Sequence, residues 1–305
     1  MAAPFASQPV VEQAIRGRAS RYADLEARSF AAVRRIERDG SSLRAVSDAP
    51  TGVRLSHLLA HLESTGEVVP ESAMLELSSL IINIIASLHA WPGGLAHGAL
   101  SPAHVVITND GRVVLTDCVF GAALEVLQRN REQLWKEFGL AMPAAANLPR
   151  FDQQSDVTQM GALVLAIVLQ RPLHAAEYPR GVSDLVLAAT DASMTSRPGT
   201  SSALRMWLQE ALQIHPRLAF RSAVEAQRSF SDISSVPGSR RTGAMALQVL
   251  LQTTCAEPLN QRPLVVTQQP QASPEQAPRA PNPPADAPTP FDSILRAVFP
   301  RNDPN

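Results

Sequence analysis

The sequence predicts an α+β fold, mainly helical with a small β part, on three observations. Val105–Thr108 and Arg112–Thr116 are short β-branched runs joined by Asn109-Asp110-Gly111, a strong hairpin signal. Phe30–Arg38 and Ser42–Asp48 form a second such pair across Asp39-Gly40. Pro70–His89 carries Met74, Leu77, Leu80, Ile81, Ile84, Ile85 and Leu88 at spacings of three and four. Isolated hairpins are marginal in water, so both must pack on the helical part.

Composition sets the bounds. The 305 residues leave room for one large domain or two small ones plus tails. At 45% hydrophobic and 18% charged the chain can bury a sizeable core, and a net charge of −1 argues against a nucleic-acid-binding surface. Cys118 and Cys255 have neither metal-ligand spacing nor a disulfide pattern. The longest apolar run, Gly161–Leu169, is too short to span a bilayer, and the first eighteen residues lack signal-peptide order. These features predict a soluble, cytoplasmic protein. Lys136 is the only lysine.

In chain order, residues 1–8 are expected to fray, and Gln8–Ala27 reads as a charged surface helix with Val11, Ala14, Ile15, Tyr22 and Leu25 at helical spacing. The two strands follow, and Asp48–Gly52 reads as a loop before the short helix Leu55–Leu62. The nearly continuous Leu80–Ile85 run makes Pro70–His89 a helix buried on more than one side. His89, at its end, reads as a capping or core residue. Leu124, Leu127, Leu134, Trp135 and Phe138 predict partly helical, packed structure within 118–142. An apolar helix runs to Leu169, and Ser183–Ala192, Ala203–Ile214, Val224–Phe230 and Ala244–Leu251 read as further helices. Pro270–Pro290 holds eight prolines and predicts an extended linker. Phe291–Phe299 then has apolar residues at i, i+3, i+4, i+7 and i+8, a short amphipathic helix.

The stretch His97-Gly98-Ala99-Leu100-Ser101-Pro102-Ala103-His104, the hairpin after it and Asp117-Cys118-Val119 together resemble the catalytic core of the eukaryotic-type Ser/Thr protein kinases found in bacteria. That family has H-R-D-L-x-x-x-N before a hairpin and D-F-G after it. The resemblance covers about 30–230, with landmarks in order though no motif is intact. It implies a kinase-like fold with a mainly α-helical C-lobe and a reduced β N-lobe. By it, Ala99 stands where the family has the Asp that accepts the substrate hydroxyl proton, and His104 where it has the magnesium-holding Asn. Asp117 matches the remaining metal ligand, and is either a residual metal and nucleotide contact or a leftover that caps the following turn. His104 is a substitute ligand or a hydrogen-bonding structural residue, and Cys118 reads as a buried, inert thiol. The first eight residues leave no room within this sequence for the family's first three strands, Gly-rich loop and phosphate-pairing lysine. The Glu of the family's helix C falls near Arg18, with Glu12 close by.

Downstream, 118–142 has no Ser, Thr or Tyr, so the resemblance implies no phosphorylation switch. Pro143 matches the family's A-P-E without its Glu, and Ala219 stands where the pairing Arg is expected. Losing both partners of a buried ion pair can be nearly neutral, whereas losing one costs about 3–5 kcal/mol. Asp156 and Gly161 match S-D-V-x-x-L-G, whose Asp holds the catalytic-loop backbone, so Pro143, Asp156 and Gly161 are read as structural. The implied divisions are 1–54 as an N-lobe remnant, 55–252 as the C-lobe, 253–290 as linker and 291–300 as the terminal helix. With these losses the resemblance implies a pseudokinase acting as a binding, scaffold or regulatory module in signalling. No cofactor is expected unless ATP and magnesium still bind at Asp117. The alternative is an active or weakly active kinase using ATP and Mg, for which Arg16 and Arg18 are the nearest phosphate-binding cations. A third reading makes the lobe a scaffold for partner contact through Phe291–Phe299.

Overall fold

Two small sheets and ten helices make up the residues that the computed structural model describes: 8–25, 28–40, 42–144, 148–191, 198–234 and 239–255. The Pro-rich stretch Pro270–Pro290 and the amphipathic segment Phe291–Phe299 lie outside them.

Helix α1 spans Pro9–Arg21, with proline in its first turn, Glu12 near its N-terminus and Arg18 and Arg21 in its last turn, all favourable for the helix dipole. It is shorter than the expected Gln8–Ala27. Tyr22 leaves the helix, and its hydroxyl donates to the Ala96 carbonyl. Strands β1 (Val33–Asp39) and β2 (Ser42–Ser47) form an antiparallel hairpin with a register shift between Val33 and Arg35. The first strand starts later than expected. Phe30 bridges Leu115 instead, and the Ala31 N–H donates to the Leu115 carbonyl at 2.8 Å.

The expected loop Asp48–Gly52 ends in a strand. β3 (Gly52–Arg54) pairs with β4 (Val105–Thr108), which pairs in turn with β5 (Val113–Leu115). Gly52 is the residue that fits, because a Cβ there would lie 2.2 Å from the Ile107 carbonyl oxygen. β5 is shorter than Arg112–Thr116 because Arg112 belongs to the turn, its carbonyl accepting from the Thr108 N–H at 2.8 Å.

The helical part begins with α2 (Leu55–Thr65) and α3 (Glu71–Ala90). A window of α3 is long and apolar enough to cross a membrane, and 56% of it is buried within the fold. The segment after β5 folds into α4 (Phe120–Val126) and α5 (Arg131–Phe138), the latter opened by a reciprocal Asn130/Gln133 capping box. α6 (Gln153–Leu169) is buried nearly all round and opens on Asp152, whose carboxylate accepts from the Gln154 and Ser155 N–H groups. α7 (Val182–Ala189), α8 (Pro198–Ala211), α9 (Ala223–Ser234) and α10 (Ser239–Cys255) complete the described fold. α10 runs three residues into what the sequence reads as linker.

One large core joins α2, α3, α6, α8, α9 and α10. Trp207 sits fully buried in it, 5.1 Å edge-on to Phe230, its indole N–H donating to the Ala226 carbonyl at 2.8 Å. A second cluster ties Val11 and Ile15 of α1 to Leu43 of the hairpin and Val119 and Ala123 at α4. A third gathers Ala99, Leu124, Leu134, Leu140, Met142 and Phe151.

Candidate functional site

The loop from Leu95 to His104 and the residue pair Thr116–Asp117 lie side by side because β4 and β5 pair between them. Their contact is direct: the Thr116 N–H donates to the His104 carbonyl at 2.9 Å.

Asp156 of α6 organises the loop from beneath. It is 0% exposed, and one carboxylate oxygen accepts from the His97 N–H at 2.6 Å while the other accepts from Gly98 at 2.6 Å. His89 donates Nε2–H to it at 3.1 Å and accepts the Ala223 N–H on Nδ1 at 2.9 Å. Three donors satisfy a buried carboxylate that would otherwise be costly to bury. Gln159, one turn further along, accepts from the Leu100 N–H at 2.7 Å. Gly161 lies where α6 passes α8, and a Cβ there would be 3.0 Å from the Ala211 methyl.

His97 is enclosed. Its Nε2–H donates to the Thr116 carbonyl at 3.0 Å, and its Nδ1 accepts from the Ala99 N–H at 3.3 Å. These partners fix the neutral ring, and burial lowers its pKa to about 4. His104 donates Nδ1–H to the Ala99 carbonyl at 2.6 Å, which leaves the Nε2 lone pair 4.0 Å from Asp117 Oδ2. Burial lowers the His104 pKa, and the Asp117 charge partly opposes that.

Asp117 holds φ of 63°, the left-handed region, at a cost of order 1–3 kcal/mol for a residue with a Cβ. Its carboxylate accepts from the Thr116 hydroxyl at 2.8 Å. The turn after it is capped by its main-chain carbonyl, which accepts from the Phe120 N–H at 3.1 Å; α4 has no side-chain cap. Cys118 is buried, and burial pushes its thiol up to about 12, as expected of an inert thiol.

Ala99 is 1% exposed, and its methyl packs among Leu124, Leu134, Leu140, Met142 and Phe151. Pro143 follows Met142, whose carbonyl accepts the Tyr178 hydroxyl. Tyr178 in turn accepts from Arg131 Nη2 at 2.8 Å and lies 4.9 Å from the Trp135 ring. An aromatic anchor thus fastens the segment where the resemblance calls for a Glu–Arg pair.

The two arginines suggested as phosphate cations are engaged elsewhere. Arg16 pairs with Glu12 at 2.8 Å and donates to the Ile36 carbonyl at 3.2 Å. Arg18 donates to the Ala96 carbonyl and, at 3.2 Å, to the Tyr22 hydroxyl. It fits only because Gly98 and Gly121 lack side chains. A Cβ at Gly98 would lie 3.1 Å from Arg18 Nη2, and one at Gly121 3.0 Å from Nη1 and 2.9 Å from the Gly98 Cα.

Arg54, another nearby cation, donates to the Ala103 carbonyl. Among the described residues no group of three or more His, Cys, Asp or Glu could hold a metal. Sequence reasoning found His97, Ala99, His104, Asp117 and Asp156. It missed Gln159, Tyr178 and the His89 bridge, whose partners lie 36 to 134 residues away.

No protein-family profile matches the chain, and no curated protein does. Solved structures do. The kinase domain of Mycobacterium tuberculosis PknI aligns with a TM-score of 0.53 and 17% identity over 77% of this chain and 84% of that one. A second crystal structure of that domain gives 0.52 and 17% over 76% and 82%. A single-substitution variant gives 0.51 and 18% over 75% and 81%. At such identity the likeness speaks to fold alone, and the chain has a Ser/Thr-protein-kinase-like fold.

Proposed function

We propose that the chain is a catalytically inactive, cytoplasmic pseudokinase that works by binding, as a regulatory or scaffold module. The observation that carries this reading is Ala99. In the kinase resemblance its position belongs to the residue that takes the substrate proton, and here it is a methyl group sealed into an apolar cluster. His97 is enclosed between backbone partners, and His104 commits its Nδ1–H to the Ala99 carbonyl. The neighbouring arginines are held by loop carbonyls, which supports the same conclusion for phosphate binding. Loss of the base and of electrostatic stabilisation each removes several kcal/mol from a phosphoryl transition state.

The full chain is expected to give no phosphotransfer above background to a generic protein substrate with Mg–ATP or Mn–ATP. A thermal-shift titration with ATP, with and without magnesium, is expected to show no stabilisation. Turnover abolished by Asp117→Asn would overturn the reading. A second reading, residual cation binding at Asp117, draws support from its left-handed backbone and the His104 lone pair 4.0 Å away. A melting shift with the divalent ion alone, lost in Asp117→Asn, would establish it.

A further inference from the structure

The β1–β2 hairpin has two unlike edges. On β1, the Ile36 carbonyl accepts from Arg16 of α1, and Arg38 pairs with Glu12 at 2.6 Å. That edge is guarded by charged side chains. The same contact sets the phase of the ladder. Ile36 turns its carbonyl away from β2, so Ile36 and Ala45, which face each other, form a non-hydrogen-bonded pair. Ala45 and, two residues on, Ser47 therefore aim their N–H and C=O groups at the opposite edge of β2. Among the described residues β2 pairs with β1 alone, and no backbone hydrogen bond among them uses those groups. β2 itself contains no proline, lysine or bulge that would discourage pairing.

We propose that this edge is a self-association surface, on which β2 of a second copy pairs antiparallel about a two-fold axis through Val46. Three neighbouring registers keep inner and outer faces aligned. Centring on Arg44 sets two like charges opposite each other. Centring on Ala45 sets Arg44 against Val46. Centring on Val46 sets Arg44 against Asp48 of the other copy twice, Val46 against Val46, and Ala45 against Ser47, whose outward groups then exchange hydrogen bonds. Charge and β-branched pairing both favour this last register. Within one copy Arg44 pairs with Asp39 at 3.4 Å and Asp48 with Arg34 at 2.7 Å, but these are surface pairs with 64% of the Arg44 and 42% of the Asp48 side chain accessible, so both charges can also meet across the axis. The inner face is already committed, since Leu43, Ala45 and Ile36 pack on α1. The surface stands whether or not the lobe transfers phosphate.

Sedimentation equilibrium of the full chain over a concentration series tests this. The parent is expected to show a monomer–dimer equilibrium. Arg44→Glu and Asp48→Arg each make both cross-copy pairs like-charged and are expected to weaken association about tenfold. The double variant restores opposite charges and is expected to recover most of the parent affinity. Thermal melts of each variant separate lost pairing from lost fold. A parent that stays monomeric up to its solubility limit, or a folded double variant no tighter than the singles, overturns the proposal.

Discussion

Three N–H groups converge on the Asp156 carboxylate, and two of them belong to the loop that carries His97 and Gly98. Replacing Asp156 by Asn turns an amide N–H toward these donors in a site without water access. The expected loss is about 3 kcal/mol or more, read as a shift in urea midpoint. His97 carries a pH signature. Its pKa falls from 6.5 to about 4 on folding, so the unfolded chain binds more protons between those values. The stability it contributes is therefore complete above pH 6.5 and drains away as pH falls toward 4. His97→Asn is expected to flatten the fall in melting temperature over that window relative to the parent. Asp156 was legible because its motif spacing survives. The His89 bridge to the Ala223 N–H was not, because nothing local in LHAWPGG signals a partner 134 residues downstream.

Among elements, α1 depends on a tertiary latch. Arg18 and Tyr22 both reach the Ala96 carbonyl, and the glycines at 98 and 121 make the space. Gly121→Ala brings a methyl 2.9 Å from both the Gly98 Cα and the His97 carbonyl oxygen, so backbone must move. A loss of about 2–3 kcal/mol is expected in chemical unfolding, within the usual range for overpacking. Asn130→Ala, which removes the α5 capping box, is expected to cost only about 1 kcal/mol. Long periodic elements such as α3 and α6 could be read from the sequence, as could the Asp110-Gly111 hairpin. β3 could not. Three residues beginning with glycine carry no strand pattern, and only the β4 edge makes them one. The end of α1 was likewise misplaced because Tyr22 and Leu25 keep helical spacing while packing against the main core.

At the scale of the whole molecule, α10 closes the large core with Leu247, Leu250 and Leu251, all nearly inaccessible. A chain ending at residue 238 is expected to lose the cooperative unfolding of the full chain, which differential scanning calorimetry checks. The packing around Ala99 has a last consequence. Writing an aspartate at that position would bury a carboxylate among Leu124, Leu134, Leu140, Met142 and Phe151, where it would hold its proton at neutral pH. Placing an acid there is thus not a one-letter edit: some twenty residues after Phe120 would have to peel away before it could ionise.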